Sequence, residues 1–194
     1  MEITTIFYPK SRKEWRAWLK KHHSTKREIW LVYYNKSSGK PRIPYNDAVE
    51  EALCFGWIDS ILKKIDAESF AQRFTPRKPK SVWSEMNKER VRRLIREKKM
   101  TAAGLAAFSG SAHRSVLKTG TKARAEKLVI PPAILKALKR DATTWKNFQK
   151  FPESYKRIRI GWIEGARQRP EIFHQRLTYF LKMTAHNKRY GMVQ

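Results

Sequence analysis

The sequence predicts an α+β fold: a small antiparallel sheet of about three strands packed with helices, then a helical C-terminal half. Three observations carry this. Residues 28–36 and 57–76 have the composition or the alternation of strands. After residue 80 the apolar residues recur at helical spacing. An apolar content of 41%, with seven tryptophans in 194 residues, is enough for a packed core and excludes a disordered basic tail.

The elements follow in order. In "KSRKEWRAWLKKHH" (10–23) Ser11 stands three residues before Glu14, the spacing of a capping box. Trp15, Trp18 and Leu19 make one apolar stripe of that helix. "EIWLVYYNK" (28–36) is a buried strand, and the turn-rich "SSGKPRIP" (37–44) is a loop. "YNDAVEEALCFG" (45–56) is a second helix, with Asn46 or Asp47 as its cap and Gly56 as its stop. "WIDSILKKI" (57–65) and "SFAQRFTP" (69–76) are two strands around a short polar turn.

"SVWSEMNKERVRRLIREKK" (81–99) is a helix, with 83–98 as its packed portion. "TAAGLAAFSGSAHR" (101–114) is a small-residue helix broken near Gly110. Residues 115–133 are a basic linker. Helices follow near 132–140, 141–150, 152–167 and 170–187, the last with Pro170 in its first turn. The expected organisation is an α+β core over 1–110, with 111–194 supplying the linker and helices that pack on the same domain.

Cys54 is the one cysteine, so no internal disulfide forms, and its place in an apolar run predicts a small buried hydrophobe. The five histidines are scattered, so no metal and no organic cofactor are expected. There is no long apolar window and no apolar leader, so the chain is expected to stay in the cytosol without a membrane span.

Two groups of residues are candidates for function. The first begins with Asp59, a carboxylate at the end of the most apolar run, "ALCFGWIDS". On a helical wheel of 81–99, Trp83, Met86, Val91, Leu94 and Ile95 share one side, and Asn87 and Arg90 fall there too. A buried guanidinium or amide needs partners. Asp59 can serve Arg90 as a bidentate acceptor, with Arg73 and Arg77 as competitors. This arrangement is either an internal ion pair that docks the hairpin or a polar ligand pocket of Trp57, Asp59, Trp83, Asn87 and Arg90. A catalytic role for Asp59 is the third reading. No second acid, base or nucleophile stands at a recognisable spacing, so no catalytic residue is named.

The second group follows from charge. The 43 Lys and Arg outnumber the 17 Asp and Glu, a net of +26, and such a field attracts polyanions. Residues 73–99 hold eleven of those cations against three glutamates. Arg77, Lys78, Lys80, Arg92, Arg93 and Arg96 are the candidate contacts for nucleic acid or another polyanion. The competing view is a solvated face over core tryptophans.

"EALCFGWID", "FTPRKPKSVWS.MN" and "M.AAGL" occur in this order, and together they resemble the YdeI/OmpD-associated, or bacteriocin-protection, family. The resemblance is close over about 10–110 and looser through "W...FP.SYKRIRIGWIEGARQRPE". Its signature positions are Gly56, Trp57, Ile58, Asp59, Thr75, Pro76, Arg77, Ser81, Trp83, Ser84, Asn87, Met100, Gly104 and Leu105. The chain departs from it at Lys98–Lys99, at Ile172–Phe173 and over 111–130. The resemblance implies an α+β part followed by helices in a cytosolic bacterial protein, with a role in bacteriocin protection or stress tolerance. It carries over no catalytic residues. A non-enzymatic binding protein is therefore the expected function, with nucleic-acid binding and an enzyme built on Asp59, Asn87 and Arg90 as the alternatives.

Overall fold

The computed structural model describes residues 2–79, 81–109 and 128–191. The chain forms two compact units, Met1–Val82 with Arg90–Ala123 and Trp83–Glu89 with Arg124–Gln194. The expected break near Gly110, most of the 115–133 linker and Lys80 lie outside the described residues.

The first unit holds a four-stranded mixed sheet. Its strands are β1 (Ile6–Phe7), β2 (Ile29–Tyr34), β3 (Trp57–Lys64) and β4 (Ser69–Pro76), in spatial order β1-β2-β4-β3. The antiparallel part, β2-β4-β3, is the predicted sheet. The difference is β1, which pairs parallel to β2 through Ile6↔Trp30 and Phe7↔Leu31. Two residues are too few to show a period in the sequence. The hairpin turns on Asp66, whose Oδ1 accepts from the N–H groups of Glu68 (2.8 Å) and Ser69 (2.7 Å).

Around the sheet lie α1 (Arg12–His22), α2 (Tyr45–Cys54), α3 (Glu85–Arg96, shared between the units) and α4 (Ala102–Ser109). Ser11 caps α1 by accepting from Glu14 N–H at 3.3 Å, and the Glu14 carboxylate accepts from Lys10 N–H at 3.0 Å. Trp15 and Leu19 are fully buried, as their spacing predicts. Trp18 stacks on both Trp15 and Phe7, with the two indole centroids 5.3 Å apart, and Phe7 lies tilted against Trp15. Trp15 meets Phe74 of the sheet edge-on at 5.5 Å, so this helix covers the face that carries Phe74.

The cap of α2 differs from expectation. Pro44 holds the N-cap position, and Asn46 and Asp47 lie inside the first turn. Proline's fixed φ favours this start, and the two side chains are drawn to arginines instead. Asn46 Oδ1 accepts from Arg90 and Asp47 from Arg12. The predicted stop holds: α2 ends at Cys54, and Gly56 takes a φ of +76° that side chains rarely adopt. The α4 helix docks where Thr101 donates to the Cys54 carbonyl through N–H (3.1 Å) and Oγ1 (2.7 Å). Gly104 lies against the same carbonyl. A Cβ there would stand 2.2 Å from the Cys54 oxygen.

The second unit comprises the start of α3, capped by Ser84 Oγ on Asn87 N–H (3.3 Å), and four helices. These are α5 (Pro132–Lys139), α6 (Ala142–Lys150), α7 (Glu153–Glu164) and α8 (Pro170–Ala185). All four fall where the periodicity places them, with Pro170 in the first turn of α8. Asp141 caps α6 through Thr144 N–H at 2.6 Å. Ile134, Leu138, Phe148, Tyr155, Ile163 and Phe180 are central to this unit's core. Arg159 is buried, its guanidinium 4.3 Å over the Tyr190 ring and its Nη2 donating to Tyr190 O at 2.7 Å.

Candidate functional site

The register of β2 on β4 builds the site. Ile29, Leu31 and Tyr33 pair with Phe74, Gln72 and Phe70, so all six side chains share one face of the sheet. Phe74, at one end, is covered by α1. Toward the other end Tyr33 and Phe70 stack flat, with centroids 5.4 Å apart and planes 5° from parallel. The segment leading into α2 crosses above them. Ile43 anchors it, 1% exposed, and Pro44 turns it into the helix.

Between this segment and the sheet is a cleft of about 430 Å³. Its floor is Tyr33, Phe70 and Gln72, and its rim is Arg42, Pro44, Tyr45 and Leu62. Gln72 is occupied below, donating through Nε2 to Ser60 O (3.2 Å) and Ile61 O (3.4 Å) beside the bulge of β3. That bulge throws Leu62 outward, 58% exposed at the mouth.

Three of the residues that line the cleft carry polar groups. The Tyr33 hydroxyl is buried in a side chain only 3% exposed, and it has no hydrogen-bond partner among the described residues. Burial pushes its pKa up, with Tyr45 and Asp59 adding to the rise and Arg42 opposing it. The phenol therefore stays neutral and offers an O–H. The Tyr45 hydroxyl donates to Asp59 Oδ2 at 2.6 Å, and desolvation and then that bond raise its pKa as well. Arg42 lends one N–H, on Nη1, to Tyr34 O (2.9 Å).

The sequence candidates fall as follows. Asp59 lies on the sheet face of Phe74, half-buried and bonded by Tyr45. Arg90 donates through Nη2 to Asn46 Oδ1 at 2.7 Å, and the charge of Asp59 acts on both Arg90 and Arg77. Asp59 and Arg90 are thus brought into one cluster, with Tyr45 and Asn46 as their hydrogen-bond partners. Arg73 is drawn to Glu28 instead. Trp57 belongs to the core: its Nε1 donates to His23 O at 3.0 Å and its ring meets Trp18 edge-on. Trp83, buried, and Asn87 fall in the second unit.

Of the cationic candidates, Lys78 and Arg96 are exposed, and Arg92 is half-buried one turn before Arg96. Arg93 turns to Glu50 of α2 and reaches Glu97 at 3.8 Å. Arg77 is half-buried and donates to Val82 O at 3.0 Å. No helix among the described residues is long and apolar enough to cross a membrane. Nor does any group of three or more His, Cys, Asp and Glu there converge to hold a metal ion.

Tyr33, Arg42, Tyr45, Phe70 and Gln72 are absent from the sequence candidates. The alternation within "IWLVYY" puts Tyr33 on the face of Leu31, which is a signal. Its pairing with Phe70 and the crossing of residues 42–45 are tertiary facts.

The first unit is thus an α+β fold with a cleft lined by Tyr33, Arg42, Tyr45 and Phe70, and the second is helical. Residues 7–107, more than half of the chain, match the model described as "Domain of unknown function (DUF8412)", and the chain belongs to that family. Residues 127–187 match the model described as "Bacteriocin-protection, YdeI or OmpD-Associated" (OmdA), so the C-terminal helices carry the family seen in the sequence. The resemblance holds, but the match lies where the sequence motifs are looser, and the region of the closer motifs matches the other family. No curated protein and no solved structure matches the chain.

Proposed function

We propose that this chain is a non-enzymatic, cytosolic binding protein of the bacteriocin-protection type, and that its ligand seats in the cleft of Tyr33, Arg42 and Tyr45. The OmdA match supports the type. The single observation that carries the site is the Tyr33 hydroxyl, buried at a cleft with no acceptor among the described residues. Such a group costs roughly 1–3 kcal/mol of unreplaced hydration. A ligand acceptor would recover that loss. The cleft's volume is in the ordinary range for small ligands, about 300–1,000 Å³.

The test is an NMR titration of the labelled full chain against a library of small polar and aromatic fragments. Shifts that cluster on Tyr33, Tyr45 and Leu62 support the reading. A library that perturbs only scattered surface residues overturns it.

A second reading, polyanion binding, draws on the net charge of +26 and on the exposure of Lys78 and Arg96. It predicts affinity for labelled DNA or RNA tighter than about 1 μM that survives near-physiological salt. Weak binding that disappears with salt leaves the charge as a general field.

A further inference from the structure

Resting on the cleft as the binding site, we propose that its ligand class is a small organic carboxylate: one carboxylate on an apolar body. The groups the cleft offers are unequal. Tyr33, a lining residue, holds a buried O–H with no acceptor among the described residues, and Arg42, also in the lining, gives only its Nη1 to Tyr34 O. The Asp59 carboxylate, the nearby acidic group, already accepts from Tyr45 and lies within the fields of Arg90 and Arg77. Gln72 spends its amide N–H on strand carbonyls. The site is therefore rich in donors and positive, and the ligand must bring acceptors and negative charge.

A carboxylate has two oxygens, one for a guanidinium N–H and one for a phenol O–H, and such charge-assisted bonds are about twice as strong as neutral ones. A cationic ligand would leave both donors unserved beside Arg42. The rest of the lining is apolar. Ile43, Pro44, Leu62 and the Phe70 ring surround the space, and the exposed Leu62 at the mouth gains cover only when something lies against it.

The experiment is an NMR and calorimetric titration of the full chain with hydrocinnamate and hexanoate, against their primary amides, hydrocinnamamide and hexanamide. The acids should shift Tyr33 and Leu62 and bind about tenfold or more tighter than the amides, the ratio set by one charge-assisted bond. Tyr33→Phe and Arg42→Gln should each cost the acids about tenfold, and Arg42→Lys should restore part of it, while Lys20→Gln on the exposed side of α1 leaves binding as it was. Tyr33→Phe removes only a hydroxyl with no partner among the described residues, so it keeps the fold and the test.

Amides that bind as tightly as the acids overturn the carboxylate class and leave the cleft as a site. Acids that bind the cleft equally well with and without the Arg42 charge overturn the class too. If neither acids, amides nor fragments touch the cleft, the binding reading fails with it.

Discussion

Tyr33 illustrates how one atom can be costly in the fold and useful to a ligand. Its hydroxyl is dry and unpartnered among the described residues, so Tyr33→Phe should leave stability unchanged or raise it by about 1 kcal/mol in chemical denaturation. A loss of more than about 1 kcal/mol would show that the hydroxyl has a partner in the folded state. Gly104 is the opposite case. Its lack of a side chain lets α4 rest on the Cys54 carbonyl, and a methyl group would meet that oxygen at 2.2 Å. Gly104→Ala should cost about 3 kcal/mol, because both sides of the contact are backbone and neither can move alone. Gly56 and Gly104 are both signature positions of the resemblance, and the structure gives each a physical reason. Arg42 and Tyr45 had none in the sequence, since a loop side chain enters a cleft only once the strands beneath it are in register.

Among the elements, α2 departs furthest from its sequence reading. Ala48, Val49, Ala52 and Leu53 are buried as expected, but so are Glu50 and Glu51. Arg12 reaches Asp47 (3.0 Å), Glu50 (3.2 Å) and Glu51 (2.5 Å), Arg16 reaches Glu51 (2.6 Å), and Arg93 closes on Glu50. These partners lie some 35–43 residues away in the chain. The pattern of α2 alone cannot announce them. Glu51→Gln leaves two guanidinium groups short of a charge. Arg12 and Arg16 keep 30% and 38% of their side chains in water, so the expected cost in a denaturant melt is about 2–3 kcal/mol, below that of a fully buried pair. No change would mean that water replaces the carboxylate. The elements that were legible, β2 to β4 and α1 to α8, owe it to local signals: composition, caps, alternation and helical period. β1 has none of these, and the parallel partner that makes the sheet mixed was hidden with it.

For the molecule as a whole, charge and pH act together. Thr4 and then Arg73 hold the Glu28 carboxyl below its usual range, and Lys99 and then Arg93 do so for Glu97. Asp66 and Asp141 are lowered by their turn and cap hydrogen bonds. Each depressed folded pKa means that the unfolded chain takes up protons first. This stability is present above the unfolded carboxylate values near 4 and is lost as pH falls through the lower folded ones. At the other end, burial pushes the Cys54 thiol up to about 11 and Tyr190 up to about 12. Raised values give stability that is full below the unfolded pKa and lost as pH rises through the folded one. Thermal midpoints should therefore be level around neutrality, fall below about pH 4 and fall again above about pH 9. A midpoint that climbs steadily into acid would overturn the carboxylate assignments. The net charge was plain in the composition. Its distribution was not: Arg12, Arg16 and Arg93 are spent on α2, and Arg159 on an aromatic ring.

The stacked indoles of α1 give the first unit an optical signature. Trp15 and Trp18 stand 5.3 Å apart with planes 23° from parallel, close enough for their excited states to mix. Far-ultraviolet circular dichroism should show a paired positive and negative band superposed on the helical signal, and Trp18→Phe should erase it while leaving the helical minima. Because both rings belong to one helix and one core, loss of that band during unfolding would time the opening of the sheet-bearing unit by itself. The pair thus lets the melting of one half of the chain be followed without a label. A Trp18→Phe spectrum identical to that of the parent would show that the two rings do not couple in solution.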